Sequence, residues 1–130
     1  MYEMYGNGLA LTEKVLDFLW QRQIVSLNNV ANVDTPGFKS QYITFEEELG
    51  KRITEANKGR RSARQSVYDA IGASQSWLNT TWDESSRLDG NNVDMDQEQV
   101  EIVRTAYQYQ YVLNSITNDI NRLRSAAKSF

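Results

Sequence analysis

The strongest constraint on this chain is a run of apolar residues at its C-terminal end. Ile102, Ala106, Tyr109, Leu113, Ile116, Ile120, Leu123, Ala127 and Phe130 recur at alternating steps of four and three. Steps averaging 3.5 residues hold one stripe on one side of an α-helix, which makes this run a coiled-coil seam. No Pro or Gly interrupts it, so the spacing predicts a helix from about Asp94 to near the end, roughly 50 Å at 1.5 Å per residue. Asp94, with Gln97 three residues on, reads as its N-cap, and the acids of the first turn face the positive end of the helix dipole.

That helix carries a second apolar face. At 100° per residue Val100, Val103, Tyr107 and Tyr111 lie roughly opposite the seam, and the stripe turns polar through Asn114, Asn118 and Asn121. The N-terminal segment repeats the arrangement: Leu9, Leu16, Trp20, Leu27 and Val30 share one face, while Leu11, Phe18 and Val25 project from another. Two helices of one chain can cover one stripe on each. Leaving the others in water forfeits several kcal/mol per helix at roughly 25 cal/mol per Å². A third element of the same chain could cover them; contact with other subunits is favoured, because the middle of the chain offers little regular apolar pattern.

The middle opens with a sharp stop. Asn32 suits the left-handed position that ends a helix, and Thr35-Pro36-Gly37-Phe38 places Pro and Gly where a type II turn wants them. Thr44-Phe45-Glu46-Glu47 matches a capping box, and Phe45, Leu49 and Ile53 follow at helical spacing, predicting a short helix over about 45–55. Ser66 to Leu88, with Trp77, Leu78 and Trp82 among polar residues, reads as irregular with possible β structure. The expected fold is therefore all-α. An N-terminal coiled-coil helix (1–34) and a C-terminal one (93–130) form one structural domain, and the turn, short helix and irregular insert (35–92) lie between them.

Charge is distributed unevenly. Between Lys51 and Arg64 six basic residues (Lys51, Arg52, Lys58, Arg60, Arg61, Arg64) face one acid, Glu55; between Asp83 and Glu101 seven acids (Asp83, Glu84, Asp89, Asp94, Asp96, Glu98, Glu101) face Arg87. These runs are either solvated faces or mutually attractive patches across a subunit contact, whose strength would fall with salt.

Several chemistries are excluded. The 130 residues contain no Cys and no His, which removes thiolate nucleophiles, imidazole acid–base chemistry, ordinary zinc sites and disulfides. A net charge of −3 argues against nucleic acid as a partner. The longest apolar patch, Val15 to Trp20, is too short to span a bilayer, and no cleavable signal peptide is visible. A calcium loop starting at Asp89 fails, because its fifth, sixth and twelfth positions are Val93, Asp94 and Val100. Asp94 and Asp96 as paired catalytic carboxylates would need a walled pocket, which a helix's first exposed turn rarely has. The expectation is no enzyme, no metal and no cofactor.

Two blocks carry a resemblance. Asn28, Asn29, Val30, Ala31 and Asn32, then Thr35, Pro36, Gly37 and Phe38, resemble the N-terminal signature of bacterial flagellar rod and hook proteins, Asn-Ile-Ala-Asn, two variable residues, Thr-Pro-Gly-Tyr, with Val30 and Phe38 replacing Ile and Tyr. Asp89, Gly90, Asn91, Asn92, Val93 and Asp94, opening the last helix, are similar to the matching block of the proximal-rod members of that family, as is the short length without an inserted outer domain. The resemblance covers roughly residues 9–50 and 88–130.

It implies a structural subunit of the basal-body rod whose terminal helices pack into concentric coiled-coil layers of a hollow drive shaft. The implied partners are copies of itself, other rod subunits, the rod-to-MS-ring junction protein and, during secretion without a cleaved signal, the flagellar type III export apparatus. On this reading Leu16, Trp20, Leu27, Ile102, Tyr109, Leu113, Ile116 and Ile120 form the intrachain seam. Leu11, Phe18, Val25, Val103, Tyr107 and Tyr111 then meet neighbours through a non-closing contact that generates a helical tube. The alternative from the heptads alone is a cytoplasmic coiled-coil adaptor or regulatory dimer.

Overall fold

The computed structural model describes residues 2–58, 63–82 and 87–129. Its elements run α1 (Tyr2–Ala31), β1 (Gln41–Thr44), α2 (Glu46–Asn57), α3 (Ala63–Ala73), β2 (Trp77–Thr80) and α4 (Met95–Lys128). Long terminal helices with a small β element between them match the expected layout. Helix α4 starts on Asp94 as anticipated, whose carboxylate accepts from the N–H groups of Asp96 and Gln97. The seam's last residue, Phe130, lies outside the described residues.

The two long helices are antiparallel. Asn29 near the end of α1 bonds Glu98 near the start of α4, and Trp20 meets Tyr109 with ring centroids 6.4 Å apart. The core is nevertheless off this axis. Phe18 and Leu19 of α1 bury themselves against Ile43 of β1, Phe45 at the cap of α2 and Leu49 within α2, with Leu11, Val15, Val25, Ile53, Tyr109 and Val112 packed around them. Phe18 and Phe45 stack at 4.8 Å, and the Arg22 guanidinium sits 4.8 Å from the Phe45 ring. Burying Phe18 alone contributes about 2–3 kcal/mol.

The expectation that subunit partners cover Phe18 does not hold in the single chain: the middle of the same chain covers it, with Leu11 and Val25 partly buried beside it. Phe18 is only 3% exposed. The covering residues come from a strand, a cap position and a short helix, so no single period runs through them. Conversely Trp20 and Leu27, expected in the intrachain seam, are mostly exposed, although Trp20 keeps its edge on Tyr109.

Strands β1 and β2 pair antiparallel, Gln41 opposite Thr80 and Thr44 opposite Trp77. Between them α2 and α3 pack together, and α3 lies on α1, where Lys14 reaches the Gly72 carbonyl (3.1 Å) and Asn7 the Arg64 carbonyl (3.0 Å). Helix α3 was not foreseen. The anticipated capping box of α2 is absent: Thr44 ends β1 and its hydroxyl accepts from Asn79, while Phe45 takes the cap position without a side-chain bond.

Asn32 is not left-handed, since no non-glycine residue among those described has positive φ. It closes α1 differently, donating from its amide to the Asn28 carbonyl (2.8 Å) and accepting from the Thr35 hydroxyl (3.1 Å). The turn that follows is the predicted one, with the Phe38 N–H on the Thr35 carbonyl and Gly37 at φ +72.

Candidate functional site

The two sequence blocks that carry the resemblance meet in space as one joint. Asn29 and Asn91 have no exposed surface at all. The Asn29 carboxamide accepts from the Gln41 N–H (3.0 Å) and donates to the Gln41 carbonyl (2.7 Å), so it stands where a neighbouring strand would pair with β1. Asn92 repeats the device at the end of the ladder, accepting from the Ser40 N–H (2.7 Å) and donating to the Thr81 carbonyl (2.8 Å). A primary amide offers the donor and acceptor of a peptide unit on a side chain, which is why asparagine suits both places.

Asn91 holds the turn after α1. Its amide nitrogen reaches the carbonyls of Asn32, Val33 and Thr35 at 2.9, 3.0 and 2.9 Å, and its oxygen accepts from the Val93 N–H at 2.8 Å. Backbone contacts complete the lock: Gly37 N–H donates to the Asp89 carbonyl (2.8 Å) and Asn92 N–H to that of Phe38 (3.3 Å). The Lys39 ammonium and the Arg87 guanidinium donate to the Gly90 and Val33 carbonyls. Gly90 is at φ +76, and a Cβ there would approach the Gly37 Cα at 3.7 Å. The motif's remaining residues do less: Ala31, Thr35 and Pro36 are exposed, and Asn28 chiefly receives the Asn32 amide.

Glu98 ties this joint to α4. Its Oε1 accepts from Asn29 (2.8 Å) and Ser40 (3.2 Å). Burial pushes its carboxyl above the ordinary range; hydrogen bonds from Asn29, Ser40 and Ser26 oppose that, and the nearby Glu101 adds to it. Nearby, burial pulls the Glu46 carboxyl up, but the hydrogen bond and charge of Arg22 at 2.7 Å together with the backbone N–H groups of Glu46 and Phe45 outweigh it, for a net lowering. Sequence reasoning missed Glu98, Ser26, Ser40 and Arg22. The available signal was Gln23, Ser26 and Asn29, polar residues three apart where an apolar face was sought.

Further along the pair the surface turns greasy. Tyr107 and Tyr111 are 74% and 76% exposed, and Val100 and Val103 are exposed beside them. On α1, Trp20, Ile24 and Leu27 are exposed. A groove of about 650 Å³ runs between α1, α2 and α4, lined by Leu11, Val15, Phe45, Leu49, Tyr107 and Tyr111 among others. Of the expected seam, Leu16, Ile102, Tyr109 and Ile116 are half-buried, whereas Leu113 and Ile120 lie nearer the surface.

The charge runs are answered locally in part: Lys51 pairs with Glu47, Arg52 with Glu48, Arg87 with Asp89 and Arg104 with Glu101. Arg60, Arg61, Asp83 and Glu84 lie outside the described residues. Among the described residues no acidic cluster could hold a metal ion, and no helix is long and apolar enough to cross a membrane. Buried amides bonded to backbone and exposed aromatics on long helices are the materials of a rigid joint and a contact surface.

No family model matches the chain. Among curated proteins it is similar to the flagellar basal body rod protein FlgB of Escherichia coli (strain K12), 27% identical over 136 residues and covering 99% of each chain. FlgB of Aeromonas hydrophila is 32% identical over 128 residues, covering 95% of each. FlgB of Borrelia hermsii is 33% identical over 119 residues, covering 85% of this chain and 88% of the relative.

Proposed function

Because this chain belongs to the FlgB family of flagellar basal body rod proteins, we propose that it assembles helically through α1 and α4 into the proximal part of the rod. As a family member it is a structural component of the basal body rod, not an enzyme. The observation that carries the finer reading is the apolar stripe of Val100, Val103, Tyr107 and Tyr111 on α4, beside Trp20, Ile24 and Leu27 on α1, exposed in the single chain. A chain that leaves so much apolar area in water gains when neighbours cover it. A contact of unlike faces that does not close extends into a tube.

In this reading residues 1–34 and 93–130 form the load-bearing domain and 35–92 a brace on α1. Torque passes along α4, about 50 Å long at 1.5 Å per residue, and the asparagine joint keeps the helix pair from shearing. The partners are other copies, neighbouring rod subunits and the rod-to-MS-ring junction protein. Delivery runs through the flagellar type III export apparatus without a cleaved signal.

The test is complementation of the source bacterium lacking its own copy of the gene. A chain carrying both Tyr107→Ser and Tyr111→Ser should be made and exported, melt like the parent, yet build no rod and restore no swimming. Rods of normal length from the double variant would overturn the assignment of this stripe to assembly.

A further inference from the structure

The two outer edges of the β1–β2 ribbon are treated in opposite ways. In an antiparallel pair, alternate residues turn their N–H and C=O groups toward the partner and away from it. Thr81 N–H donates to the Ser40 carbonyl, and with the observed register this points Tyr42 and Thr44 at β2, Asn79 and Trp77 at β1. Gln41 and Ile43 therefore face outward on β1, Leu78 and Thr80 outward on β2.

The β1 edge has three of its four outward groups taken. Asn29 takes both backbone groups of Gln41, and Arg22 donates to the Ile43 carbonyl at 3.1 Å. On β2, among the described residues, no side chain answers Leu78 or Thr80 from outside, and β1 is the element against which β2 packs. Trp77, Leu78 and Trp82 are exposed on and just beyond this strand. Ser74 to Trp82 contains no charged residue, no Pro and no Gly. Edge strands are ordinarily guarded by such residues.

We propose that β2 is a strand-addition edge and that its occupant is β2 of a second copy, run antiparallel to make a four-stranded sheet. Two observations select that occupant. A second copy's β1 edge is mostly occupied by Asn29 and Arg22, so its β2 is the open strand edge it can offer. The uncharged segment also meets itself without like charges opposed, with Leu78 opposite Thr80 of the other copy and Asn79 opposite Asn79. That register matches all four outward N–H and C=O groups on each strand. A two-fold pair of this kind closes on itself. It describes subunits outside a growing polymer, shields an edge that otherwise invites aggregation, and stands or falls independently of the rod reading.

The chain has no cysteine, so single-cysteine variants report directly. Under mild oxidation, purified full-length Asn79→Cys should form disulfide dimers at least ~10-fold faster than Gln110→Cys on the exposed face of α4, because the facing residues of an antiparallel pair lie within disulfide reach. Sedimentation of the parent at high concentration should approach twice the 15.0 kDa monomer mass. Thr80→Pro, which removes an N–H that β1 does not use, should return it to monomer with unchanged helicity; should that variant not fold, Leu78→Lys serves the same end by charge. Equal disulfide rates at positions 79 and 110, a parent that stays monomeric throughout, or a dimer that survives both edge variants would overturn the proposal.

Discussion

Between the end of the helix pair that holds Asn29 and Glu98 and the stretch that holds Trp20, Tyr107 and Tyr111, the chain reverses its treatment of water. At the first, polar side chains are fully buried and bonded to backbone. At the second, aromatic side chains stand in solvent. The joint stabilises by satisfying peptide groups that a turn, a short ribbon and two helix ends would otherwise leave unpaired. Its worth lies in the penalty of removing any member. The stripe contributes little to the single chain beyond the edge of Trp20 on Tyr109 and gains most when covered. Geometry is thus invested at one end and affinity left available along the other.

The sharpest way to break this comparison is Asn91→Ala, which strands three carbonyls and the Val93 N–H in a buried site. A loss of about 3–5 kcal/mol in urea unfolding is expected, and a loss under ~1 kcal/mol would show that the joint is decorative. Phe18→Ala should cost about 3–4 kcal/mol by opening a cavity in the core beneath α1, whereas a subunit-contact Phe18 would cost the monomer little. Gly90→Ala brings its Cβ only into ordinary van der Waals contact with the Gly37 Cα, at 3.7 Å, but holds a strained φ, so about 1 kcal/mol is expected from calorimetry.

Glu98→Gln tests the joint with the opposite sign. The folded state binds the Glu98 proton more tightly than the unfolded state, because burial raises its pKa. Its contribution is complete below the ordinary carboxylate range and is lost as pH rises through the raised value. The variant should therefore melt higher than the parent at pH 7, with the gap closing toward pH 4. Smallest of all, Tyr107→Ser with Tyr111→Ser should change monomer stability by less than ~0.5 kcal/mol, measured by thermal melting; a large loss would mean the stripe is already part of the fold.

Legibility divided along the same line. The long helices, the Asp94 cap and the glycine turn at Gly37 could be read because each depends on residues close in sequence whose period or φ requirement is local. The Asn, Thr-Pro-Gly and Asp-Gly-Asn-Asn blocks could be recognised, but not what Asn29, Asn91 and Asn92 do. Apart from the local bond of Asn91 to Val93, their partners lie 11 to 69 residues away. Helix α3 is hard to read because its 11 residues include Gly72 and, among the side chains described, bury just Ile71 deeply, too little for a period to declare itself. The burial of Phe18 within the chain is not legible from the faces of α1, since amphipathicity on two sides says that both will be covered without saying by what.

By itself, then, the order of residues determined two unbroken amphipathic helices, the places where they begin and end, and a composition without the side chains of ordinary acid–base or thiol chemistry. The tertiary structure alone decided that the middle segment folds over Phe18, that three asparagines replace missing backbone partners, and that Tyr107 and Tyr111 remain outside. The reason is that periodicity is a property of a segment, whereas burial is a property of whatever surface arrives to meet it.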